Sequence, residues 1–217
     1  INKTFWKKHN PNIEIISGDI NEIHGNFKDL LNSIEVEKHK LLKDIQTLTI
    51  GEICFAALST PGISDDQYSF VVTHVTESST KIPFLFPGEV LNNGFPGLPY
   101  VINQQNCKKL FNSLNIYSSL PNDTLVYPLK NSTLSNMEIL KKIDPENFFV
   151  DDKLKWANEM HQRNESAVGS RIIEERFYNP AFRLDDEVNK KILGENNSIS
   201  VKFEKLIKLK ELIFEGG

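Results

Sequence analysis

The stretch "TLVYPLKNSTLSNMEILKKIDPEN", Thr124 to Asn147, decides how the rest of the chain is read. Thr124 to Tyr127 has strand character, and Pro128 stops it because proline has no N–H for a ladder bond. Polar residues follow, and Thr133 to Ile143 then returns apolar residues at helical spacing. A strand end running into a loop and a helix is where α/β hydrolytic enzymes usually carry catalytic groups. The residue of reactive type in this loop is a lysine, Lys130.

Upstream of the loop, strands and helices alternate. "NIEIISG" (Asn12 to Gly18) and "IQTLTIGEICFAALS", with Gly51 in its turn, read as strands. So do "QYSFVVTHV" and "IPFLFPGE", joined by a polar Glu77–Lys81 turn. Helices are predicted at residues 1–9 (Phe5 and Trp6 apolar), over "GNFKDLLNSI", and over "INQQNCKKLFNSLNIY". Downstream only helices remain: 133–143, one capped by Asp151, and "SVKFEKLIKLKELI", which turns Val201, Leu206, Leu209 and Ile213 toward a core. The predicted fold is therefore α/β followed by a helical region, with domains at 1–130 and 131–217.

Composition bounds the rest. The chain's 217 residues, 39% hydrophobic, suffice for one substantial core and a smaller appendage. A net charge of −4 argues against general affinity for nucleic acid or anionic membrane. No apolar run approaches the ~18 residues of a membrane span. Cys54 and Cys107 lie in apolar surroundings and are expected to be reduced, which fits a mitochondrial or cytoplasmic compartment. The Lys202, Lys205, Lys208, Lys210 series alternates with Glu204 and Glu211 and reads as a solvated helix face.

Four segments together resemble the glyoxalase II (hydroxyacylglutathione hydrolase) branch of the metallo-β-lactamase fold. "STPGISDDQYSFVV" resembles its T-P-x-H-T-x-G-H-x-x-x-x-V turn, and "FPGEVL" its F-x-G-D-x-L strand end. "VYPLKNSTLSNMEILKKIDPEN" resembles V-Y-x-G-H-E-Y-T-x-x-N-x-x-F-A-x-x-x-x-P-x-N. "LKWANEM" and "EERFYNPAFR" resemble the helical domain's L-x-W-A and E-x-x-x-N-P-F-x-R segments, with Ala181 as one extra residue. The resemblance implies a metallo-β-lactamase-type αββα sandwich, truncated here, with a helical C-terminal domain. Pro61, Gly88, Trp156, Asn179, Pro180 and Arg183 match scaffold positions, as turns, core or an inter-domain corner. Family members begin with strands ahead of the helix that aligns with residues 1–9. A further N-terminal part or a partner is expected to cover the sheet they would cover.

The resemblance also implies chemistry, and the residues depart from it. The family holds two metal ions with five histidines and two aspartates, and a metal-supplied hydroxide attacks a thioester. Its histidine positions fall on Gly18, Ile20, Ile23, Ile63 and Lys130, and its aspartates on Glu22 and Glu89. The five histidines present, His9, His24, His39, His74 and His161, align elsewhere. No metal or other cofactor is therefore expected, and Lys130 is expected to pair with Glu89, Glu22 or both. Of the family's glutathione-binding groups, Tyr100 and Lys210 are retained, while the others fall on Leu98, Ser132 and Ile207. Glutathione thioesters are thus expected to bind poorly. The resulting expectation is a catalytically inactive relative acting as a structural or adaptor subunit with a protein partner. The alternative is a residual thioester hydrolase with an atypical site.

Overall fold

The structure, a computed structural model, describes residues 15–17, 39–41, 46–74 and 82–215. Its central element is a six-stranded mixed sheet in the order β10-β9-β6-β5-β4-β3. β3 (Gln46–Ile50), β4 (Ile53–Ser59), β5 (Tyr68–His74) and β6 (Phe84–Phe86) form an antiparallel meander. β9 (Leu125–Val126) joins β6 in parallel, and β10 (Ser170–Arg171) closes the far edge antiparallel to β9. A separate parallel pair, β1 (Ile15–Ser17) with β2 (His39–Leu41), confirms a strand within the predicted 12–18 segment. The predicted helices at 1–9 and over "GNFKDLLNSI", and the Glu77–Lys81 turn, lie outside the described residues.

Gly51 makes the β3–β4 turn because its φ of +58° is cheap only without a Cβ. α1 (Gln104–Ser118) packs below the sheet, started by Asn103, whose side chain accepts from the Asn106 N–H. The sheet's two faces differ. Leu85 and Val126 are fully buried, whereas Phe84 and Phe86 on the opposite face are 38% and 43% exposed and stack on Tyr127. That alternation is the strand period expressed across one half-covered sheet.

α2 (Thr133–Ile143), α3 (Phe148–Gln162), α4 (Ile172–Tyr178), α5 (Glu187–Leu193) and α6 (Ile199–Glu215) follow. α2 keeps the bounds expected from sequence. α3 does not: it begins at Phe148, not after Asp151, because Asn147 provides the cap by accepting from the Phe149 N–H at 3.0 Å. Asp151 instead sits in the first turn, paired with Lys141 at 2.5 Å. Trp156 is only half-buried, with Lys153 Nζ 4.2 Å from its ring centroid, so it is not the core residue expected. α6 is also rotated from the expected face. Leu206 is buried and Ile213 packs against the core as expected, but Val201 is exposed and Phe203 and Ile207 are buried in its place.

A buried carboxylate joins the helical region to the sheet. Glu175 on α4 is fully buried and accepts from the Gly94 N–H (3.1 Å), Asn179 Nδ2 (2.7 Å), Ser170 Oγ (2.7 Å) and Tyr178 Oη (3.1 Å). Gly94 lies in the Asn93-Gly94 turn between β7 (Leu91–Asn92) and β8 (Phe95–Pro96), so one side chain fixes that hairpin against α4. A Cβ at Gly94 would meet Met137 Cε of α2 at 2.5 Å. The Asn179–Arg183 corner, expected to join two domains, is held by polar contacts. Asn179 is buried on Glu175, and Arg183 bridges Asp144 and Asp186 at 2.8 and 2.5 Å. Cys54 and Cys107 are unbridged.

Candidate functional site

The ends of β6 and β9 and the β7–β8 hairpin border a cleft of about 390 Å³. It is lined by Glu89, Asn92, the Gly97–Tyr100 turn, Lys130, Ser132, Asn136 and Lys210. The loop after β6 brings Glu89, and Gly88 permits its direction with a φ of +59°. The loop after β9 brings Lys130, anchored by the Leu129 N–H donating to the Gly88 carbonyl at 3.1 Å. α6 reaches in from the C-terminal end with Lys210. Residues 89, 98, 100, 130, 132 and 210, matched in sequence to metal and substrate positions, thus converge on one cavity.

Lys130 Nζ lies 2.9 Å from Glu89 Oε1, with the lysine 63% exposed and the glutamate 23%. The lysine therefore both faces water and pairs with Glu89. Because it is largely solvated, the pair contributes at most about 1 kcal/mol to stability. Tyr100 Oη donates to Glu89 Oε2 at 3.4 Å. The Glu89 charge, followed by partial burial, raises the Tyr100 phenol above its ordinary value. Ile63 is 3% exposed and belongs to the main core, and its Cδ1 lies 2.7 Å from where a Cβ on Gly97 would stand. Gly97 is thus required by close approach: the same Cβ would meet the Glu89 carbonyl oxygen at 2.0 Å.

These residues do not fit a dinuclear metal centre. An ammonium has no lone pair to donate, and isoleucine presents only hydrocarbon, so Glu89 is the single donor among the three matched positions that the structure describes. Gly18, Ile20, Glu22 and Ile23 lie outside the described residues, and glycine and isoleucine carry no ligating side-chain atom. Among the described residues no group of three or more His, Cys, Asp and Glu gathers. His74 pairs with Glu52 at 3.1 Å at the end of β5, and His161 is exposed at the end of α3.

Lys210 corrects the solvated-face reading. It is 4% exposed, its Nζ donates to the Pro96 carbonyl at 2.5 Å, and it lies 5.4 Å from the Phe95 ring centroid. Burial, with the Lys130 ammonium adding repulsion, pulls its pKa down to about 7. Lys202 is likewise buried, with Asp185 2.6 Å away, whereas Lys205 and Lys208 are exposed. Sequence reasoning missed Asn92 and Asn136. Both line the cleft, and among the described residues the buried Oδ1 of each has no hydrogen-bond partner. For Asn92 the available signal was the "LNNGFPG" turn, which shapes the cleft as well as reversing the chain.

The described residues include no helix long and apolar enough to cross a membrane. Residues 131–212 match the family described as hydroxyacylglutathione hydrolase C-terminus. The chain is 27% identical to a hydroxyacylglutathione hydrolase-like protein of Gallus gallus, over 75% of this chain and 56% of that one. It is 29% identical to the Mus musculus protein of the same description, over 68% and 51%. With the hydroxyacylglutathione hydrolase of Buchnera aphidicola it shares 27% identity over 79% and 64%. The chain therefore spans 51% to 64% of the length of these relatives. Its fold resembles a Staphylococcus aureus metallo-β-lactamase, with a TM-score of 0.54 at 16% identity, over 94% of this chain and 51% of that one. The fold is therefore of metallo-β-lactamase type, and residues 131–212 are similar to the hydroxyacylglutathione hydrolase C-terminal region.

Proposed function

We propose that this chain is a glyoxalase II scaffold without dinuclear hydrolysis, kept as a structural or adaptor unit that works through a protein partner. The supporting observation is the 2.9 Å Lys130–Glu89 pair. An internal cation neutralises the carboxylate that matches the family's bridging ligand, and it repels any metal ion approaching that oxygen. Ile63, packed into the core, fills a matched ligand position with hydrocarbon. A need for a covering partner is consistent with the exposed Phe84, Phe86 and Tyr127 face.

The test is metal analysis of the purified chain together with S-lactoylglutathione turnover. Sub-stoichiometric zinc and iron, with turnover at the buffer rate, are expected. Stoichiometric metal or measurable turnover would favour the alternative, a residual thioester hydrolase. That alternative draws on the persistence of the cleft with Tyr100 and Lys210 in it.

A further inference from the structure

One group in the cleft has no part in the proposed scaffold role. Lys210 is the most enclosed charged residue of the cavity, 4% exposed, while Lys130 and Tyr100 on the same cavity are largely open to water. Leu98 and Pro99 form part of the wall, and the Phe95 ring lies 5.4 Å from Lys210 Nζ. A lysine desolvated among apolar groups and set near a second ammonium is in the environment that yields a neutral, nucleophilic amine near pH 7. A cavity of about 390 Å³ lies in the range that encloses small molecules.

We propose that Lys210 is a carbonyl-capturing residue: its Nζ adds to a small aldehyde or ketone entering the cleft and holds it as a protonated imine. The nitrogen lone pair forms a C–N bond, and the carbonyl π pair moves to oxygen, which takes up a proton. The nitrogen loses one proton, giving a neutral carbinolamine. A second protonation of that oxygen releases water as the nitrogen lone pair forms C=N. No oxidant or reductant is consumed, and hydrolysis returns the free amine. The Lys130 ammonium and the Tyr100 phenol are the proton donors on the same cavity. The Pro96 carbonyl, which accepts from Lys210 Nζ at 2.5 Å, remains available to the iminium N–H. This inference is independent of thioester hydrolysis and holds whether that activity is present or absent.

The full chain is treated with glycolaldehyde and sodium cyanoborohydride at pH 7, which reduces any imine to a stable secondary amine, and the labelled lysines are located by mass spectrometry over time. Lys210 is expected to label about tenfold faster than the exposed Lys205 and Lys208, despite its burial, because its neutral fraction is far larger. In urea-unfolded chain the three are expected to label at similar rates. The variant Lys210→Arg, checked for folding by circular dichroism, is expected to lose the fast phase alone. Labelling of Lys210 at or below the rate of Lys205 in folded chain overturns the proposal. So does a fast phase that survives Lys210→Arg.

Discussion

Replacing Glu175 separates hydrogen bonding from charge at the joint between hairpin and helix. Its Oε2 receives the Gly94 N–H and Asn179 Nδ2, two donors that cannot become acceptors. Its Oε1 receives Ser170 and Tyr178 hydroxyls, which can rotate and accept instead. Glu175→Gln can therefore keep its oxygen toward Gly94 and Asn179 and turn its NH₂ toward the hydroxyls, at a cost of about 1 kcal/mol or less. Glu175→Leu strands both obligate donors in the core, at about 1–3 kcal/mol each, or about 2–6 kcal/mol together. At roughly 2–4 °C per kcal/mol for a chain this size, Leu lowers Tm by about 5–20 °C and Gln by less than about 4 °C. Burial is the main cause that raises the carboxyl above its ordinary 4.5. The native state then holds a proton that the unfolded chain releases, so the wild type loses stability as pH rises from 4.5 until the folded carboxyl titrates. Glu175→Gln removes that slope. Urea melts at several pH values measure both effects. Equal damage from Gln and Leu, or a slope unchanged in Gln, would refute the hydrogen-bond argument.

Lys130→Ala, at a 63% exposed residue, is expected to change unfolding free energy by less than about 1 kcal/mol in urea melts; a larger loss would mean the Glu89 pair is more than a surface contact. Ile63→His is expected to lower stability by about 2–4 kcal/mol and to bind no stoichiometric zinc, read by calorimetry and metal analysis. Gly62→Ala places a Cβ 2.4 Å from Leu110 Cα at a φ of +138°, so loss of about 3 kcal/mol or of soluble folded protein is expected; wild-type Tm would contradict the geometry. Lys210→Met is expected to be most stabilising below pH 7, where the native lysine is charged and buried. The advantage should fade as pH rises from about 7 toward the unfolded value, because the native amine is then already neutral. About 1–3 kcal/mol is given back for the orphaned Pro96 carbonyl, and thermal melts at pH 6 and 10 show the difference.

Sequence alone determined the strands β3 to β6, the helix α1 and the α2 bounds at Thr133 and Ile143, but it read only helices after Lys130 and so missed β10 at Ser170–Arg171. The elements it read follow from local periodicity and from Pro128, which act within a few residues. It also determined which side-chain donor atoms are present, because no fold can give isoleucine or glycine a ligating side chain. Only the tertiary structure decided which side of α6 is buried. An amphipathic lysine can snorkel or be enclosed, and what α6 packs against, not its own pattern, encloses Lys202 and Lys210. The α3 start escaped sequence reading because Asn147 and Asp151 are both good caps, and Phe149 is held by Asn147. The cleft was likewise invisible in one dimension. Its walls come from residues up to 121 positions apart, Glu89 to Lys210, and long-range packing alone brings an ammonium, a carboxylate and two asparagine oxygens, unpartnered among the described residues, to one cavity.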